Sequence, residues 1–81
     1  MEKVLVIRQH ILKVSDIKNL EVNQEIFIPE SDYGLAEIHC IGNDEEKVYE
    51  LYGIPMYGGI PLLEMVSSCA HEIFDNVSKW S

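Results

Sequence analysis

The sequence predicts a small α+β domain, with an antiparallel sheet of three or four strands covered on one face by a single C-terminal amphipathic helix. Three observations predict it. The first two thirds of the chain hold short β-rich runs separated by polar turns. The last third changes to apolar spacings of 3, 4 and 7. With 81 residues, 47% hydrophobic and 25% charged, the chain has the composition of one globular domain and not of a disordered segment.

The elements follow in order. Val4 to Leu12 is aliphatic and β-branched and reads as a first strand. Ser15 to Leu20 reads as a turn or single helical turn, with Ser15 or Asp16 as its cap. Glu25 to Ile28 is a short second strand stopped by Pro29, and residues 29–34 carry turn chemistry. Leu35 to Ile41 is a third strand. Gly42-Asn43-Asp44-Glu45 is a polar hairpin turn, and Lys47 to Ile54 a fourth strand. From Leu62 to about Lys79 the apolar residues predict one helix that buries Val66, Cys69, Ile73 and Val77, with Pro61 at its first position.

Charge narrows the partner. Residues 19–78 carry twelve carboxylates against the single base Lys47, and the whole chain has a net charge of −8. A field of that sign repels nucleic acid and anionic lipid and attracts basic protein surfaces. The run Val4-Leu5-Val6-Ile7, cut by Arg8, is too short for a leader or a membrane span. The expected location is therefore the cytoplasm, with Cys40 and Cys69 as reduced core thiols.

The least ordinary stretch runs from Tyr49 to Pro61, with three tyrosines, three glycines and two Ile-Pro steps. Tyrosines near a small core usually cover its edge. The functional alternative is a recognition loop presenting Tyr52, Met56 and Tyr57, because tyrosine offers much contact area with few torsions to freeze. The glycines do not form a phosphate loop, since no Walker lysine follows them. Within this stretch, Ile54-Pro55-Met56-Tyr57-Gly58-Gly59-Ile60-Pro61 resembles a segment of small uncharacterised phage and prophage proteins. The resemblance covers about a tenth of the chain. It implies a mobile-element protein but no activity and no catalytic residue.

No metal or other cofactor is expected. His39 and Cys40 are strand neighbours and point to opposite faces, while Cys69 and His71 diverge on a helix. His10 reads as an ordinary surface or edge residue. Catalysis is not expected either: no serine or cysteine stands in a nucleophile motif, and the carboxylates fall in turns or on polar faces. The run Asp44-Glu45-Glu46 reads first as a solvated turn. A sharper reading is nucleic-acid mimicry, since alternate strand residues lie roughly 6.6 Å apart on one face, similar to neighbouring phosphates.

The functional expectation is a non-enzymatic protein-binding module. Its binding residues would be Asp44, Glu45, Glu46, Tyr52, Met56 and Tyr57. Its partner would be a protein with a basic surface, not nucleic acid or membrane. With the phage resemblance, this becomes an inhibitor of a nucleic-acid-handling or defence protein. The alternatives are a structural or accessory homodimer using the same tyrosine surface, and a sensor with a small-ligand pocket between sheet and helix.

Overall fold

The architecture was obtained as a computed structural model. It describes residues 3–7, 10–31, 34–55 and 59–80, with the side chains of residues 7, 29–31, 34 and 35 set aside. The elements are β1 (Val4–Ile7), β2 (His10–Lys13), α1 (Val14–Lys18), β3 (Glu25–Ser31), β4 (Gly34–Gly42), β5 (Lys47–Ile54), β6 (Leu62–Ser67) and α2 (Ala70–Ser78). Strands β1 and β2 form a two-stranded hairpin, and β3-β4-β5-β6 form a four-stranded antiparallel meander. The fold is thus small and α+β, with two antiparallel sheets and a C-terminal helix.

Three expectations are corrected. First, Val4 to Leu12 is not one strand but the two arms of a hairpin. In a straight strand Leu5 and Leu12 would point to opposite faces. Reversing the chain sets them opposite each other, so Leu12 is buried and Leu5 packs against the core. Second, Pro29 does not stop the second strand. The register shifts between Ile28 and Ser31 and β3 continues. Because β3 is an edge of its sheet, a residue without an N–H is tolerated there.

The third correction is the largest. Residues 62–67 form a strand, and the helix begins only at Ala70. Leu62, Leu63, Met65 and Val66 fit a helical stripe and a strand equally well, as short apolar runs do. Pairing decides: β6 supplies hydrogen-bond partners to β5, which would otherwise be an exposed edge. Ser67 then ends the strand and opens the helix. Its hydroxyl accepts the Cys69 N–H at 3.0 Å and donates to Glu72 Oε2 at 2.6 Å. Val66 is consequently 51% exposed, and Cys69 is exposed too instead of lying in the core.

The core lies on one face of the four-stranded sheet. From the strands come Ile28, Ala36, Ile38, Cys40, Tyr49 and Leu51. Against them pack Val14 and Ile17 of α1, and Ala70, Ile73, Phe74 and Val77 of α2. Helix α1 starts where the Asp16 carboxylate accepts the Lys13 N–H at 2.9 Å. Asp16 is therefore not the cap residue itself; Lys13 holds that position. Asn23 takes a left-handed φ of 73° and donates its N–H to the Cys40 carbonyl at 2.8 Å, which seats the chain entering β3. The β4–β5 turn is held by Asn43. Its side-chain oxygen accepts the N–H groups of Glu45 and Glu46 at 2.9 and 2.8 Å. Gly42 precedes it at φ +98°, where a side chain would meet the Glu46 carbonyl.

Candidate functional site: the open face of the sheet

Alternation along the strands places one set of residues on the core and the other set on the far face. On β4 the core set is Ala36, Ile38 and Cys40, and the far set includes Glu37, His39 and Ile41. On β5 the core set is Tyr49, Leu51 and Gly53, and the far set includes Val48, Glu50 and Tyr52. Both helices pack on the core side, so among the described residues no helix covers the far face.

Register assembles that face into rows. One row reads Glu25, His39, Glu50, Val66 across β3, β4, β5 and β6. The next reads Phe27, Glu37, Tyr52, Leu63. At the rims Phe27, Leu63 and Val66 are all more than half exposed. The middle is polar and tightly connected. His39 Nε2 lies 2.9 Å from Glu37 Oε2 and 3.3 Å from Glu25 Oε2. The edge of one ring meets the face of the other between His39 and Tyr52, with centroids 5.1 Å apart. Partial burial pushes the Tyr52 hydroxyl up from its ordinary value; the charge and hydrogen bond of Glu50, then the charge of Glu37, push it the same way. No lysine or arginine is among the described residues of these two rows. The face therefore combines exposed apolar rims with three carboxylates and, in these rows, no described lysine or arginine.

Of the sequence-predicted site residues, the described ones lie in two separate places. Asp44, Glu45 and Glu46 lie exposed in the β4–β5 turn. Tyr52 lies six residues from Glu46, roughly 20 Å along the strand. Nor is Tyr52 in a loop: it is a strand residue on the open face. Met56 and Tyr57 lie outside the described residues. Tyr49 belongs to the core, where burial pushes its hydroxyl up, as does the neighbouring Cys40 thiol. The residues missed were Glu25, Phe27, Glu37, His39 and Glu50. Their signal was present as Glu37-x-His39 and Glu50-x-Tyr52, polar or aromatic residues alternating with small and aliphatic ones.

His39 and Cys40 lie on opposite faces of β4, as strand neighbours do, whereas Cys69 precedes α2 and only His71 lies on it. Cys40 is buried on the core face while His39 is on the open one, and His71 and Cys69 are both exposed. A groove of about 450 Å³ lies between β2, α1 and β3, lined by residues that include His10, Leu12, Asp16, Leu20 and Phe27. A second cavity, of about 330 Å³, is lined by Gly53 of β5, Leu62 and Glu64 of β6, Pro55 and Trp80, beside the end of the C-terminal helix. No described helix is long and apolar enough to cross a membrane. Comparison with protein-family models, curated proteins and solved structures finds no match for this chain.

Proposed function

We propose that the chain is a non-enzymatic protein-binding module that docks through the open face of its four-stranded sheet. The observation that carries this reading is the composition of that face. Phe27, Leu63 and Val66 expose apolar area beside the carboxylates of Glu25, Glu37 and Glu50. Apolar area supplies the driving force for association, and carboxylates select which surface is admitted. The complement is a protein surface bearing arginine or lysine among apolar side chains. Arginine fits best, because its planar fork pairs with carboxylates and stacks on aromatic rings.

A second copy of the same face is a poor occupant. Two such faces stacked about a two-fold axis would desolvate carboxylates of like charge against one another. The turn Asp44-Glu45-Glu46 acts at longer range, adding to the field that steers a basic partner without touching it. The resemblance of residues 54–61 to phage and prophage proteins takes the proposal one step further. The partner would be a cytoplasmic nucleic-acid-handling or defence protein, whose basic site the carboxylates would occupy.

The test is capture from lysate with the full chain as bait, compared with the Phe27→Ala/Tyr52→Ala double variant at low and high salt. The expected result is a protein held by the native chain, lost from the double variant and weakened by salt. Identical captures by both baits would overturn the assignment of the face.

A further inference from the structure

We propose that Glu25, Glu37 and His39 form a binding site for a divalent transition-metal ion of the zinc class. This inference does not rest on the protein-binding reading, although it uses Glu25 and Glu37 of the same face, and it departs from the expectation of a metal-free chain, which considered only the His/Cys pairs. Three observations support it.

The first is geometric. One donor atom from each residue lies within 4.8 Å of the others. The imidazole nitrogen is 2.9 Å from one carboxylate oxygen and 3.3 Å from the other. An ion bonded to N and O donors at roughly 2.0–2.2 Å requires donor separations of roughly 2.9–3.5 Å, from octahedral to tetrahedral. Both measured separations fall within that range. The two carboxylate oxygens lie within 4.8 Å of each other, and Glu25, the half-exposed member, is the side chain that would move to bring them into range.

The second is proton arithmetic. A single nitrogen faces both carboxylates, and a nitrogen carries at most one proton. One N–H can donate a full hydrogen bond to only one of the two carboxylates, and their acid neighbour Glu50 lies in the same row. A dication neutralises the pair outright. The donor set of one imidazole and two carboxylates is one that zinc-class ions accept.

The third is preorganisation. Glu37 is only 17% exposed at its side chain, and the His39 ring is held by the edge-to-face contact with Tyr52. Both ligands project from β4, a central strand paired on each side. Three protein ligands leave coordination positions open toward solvent, where water or a partner's side chain would complete the shell.

The experiment uses the full chain, with zinc chloride in titration calorimetry and cobalt(II) as an optical probe. The expected result is one ion per chain, with cobalt bands of an N/O site and no sulfur-to-cobalt charge-transfer band. His39→Ala and Glu37→Gln should each weaken binding at least ~100-fold, since loss even of a supporting outer-shell group costs ~10–100-fold. Cys69→Ser and His71→Ala should leave it unchanged. Circular dichroism establishes that each variant is folded, and Glu25→Gln, at a more exposed position, provides a second ligand test if Glu37→Gln is not. Absence of zinc binding by the native chain would overturn the site. So would binding that survives His39→Ala, or that Cys69→Ser or His71→Ala abolishes.

Discussion

The two faces of β4 are one residue apart in sequence and opposite in character. Ala36, Ile38 and Cys40 are essentially without exposure, and each is small or aliphatic. Glu37 and His39 stand between them, paired with each other on the face that no described helix covers. The same backbone therefore carries the stability of the fold on one side and, on the other, the recognition chemistry proposed above. The difference teaches that the two properties separate at the level of single substitutions. A change on the core face should reach binding only by unfolding the chain. A change on the open face should reach binding with the fold kept.

The largest effect is expected on the core face. Leu51→Ala and Ile73→Ala each remove a fully buried side chain and should cost about 2–5 kcal/mol in urea denaturation. Val66→Ala, on the other face of the sheet, should stay within about 0.5 kcal/mol. A large loss at Val66 would return residues 62–67 to the core and break the comparison.

Next comes the open face. Phe27→Ala and Tyr52→Ala should each weaken partner binding by about 2 kcal/mol or more, a ~30-fold rise in Kd, if these aromatics anchor the contact. Their cost to folding should be about 0.2–1 kcal/mol, the scale of a cross-strand pair. Equal losses in folding and binding would show that the faces are not separable.

Alkaline pH sharpens the comparison further. Burial holds the Cys40 thiol above its ordinary 9.0 and the Tyr49 hydroxyl above its ordinary 10.0. The folded chain keeps these protons to higher pH than the unfolded one. The resulting stability is complete below the unfolded values and is lost as pH rises through the raised folded ones. The urea midpoint should therefore fall above about pH 9, and less steeply in Cys40→Ala. A midpoint that stays flat through this range would contradict the burial of both groups.

The smallest effect belongs to the turn. Changing Asp44, Glu45 and Glu46 together to lysine should alter folding by no more than about 0.5 kcal/mol per site, because Asn43 and Gly42 shape the turn. Stopped-flow association should slow and lose salt dependence while the dissociation rate stays nearly constant.

Much of the fold was legible in the sequence, for identifiable reasons. From Val48 to Ile54 half-exposed and buried residues alternate, and the strand has the predicted bounds Lys47–Ile54. Ile73 and Val77 carry the helical period where no strand can use it, and both are buried. Legibility failed at Leu62–Ser67, where the apolar pattern serves either period and only pairing with β5 resolves it. The candidate site was mostly illegible because it depends on register. Glu25 and His39 are fourteen positions apart, and nothing local announces that β3 and β4 set them opposite each other. Glu37-x-His39 was readable as one face of a strand, but reading His39 beside Cys40 hid it.

The most direct test of the central claim is amide NMR of the labelled chain titrated with a short peptide of alternating arginine and leucine. Acids also crowd the 44–46 turn, and Glu72 and Asp75 lie exposed on α2, so charge alone would not favour the open face. The account predicts that the first and largest shifts fall on residues 25, 27, 37, 39, 50, 52, 63 and 66, where carboxylates and exposed apolar side chains coincide. Shifts confined to residues 44–46 or to α2, with the open face unmoved, would contradict it.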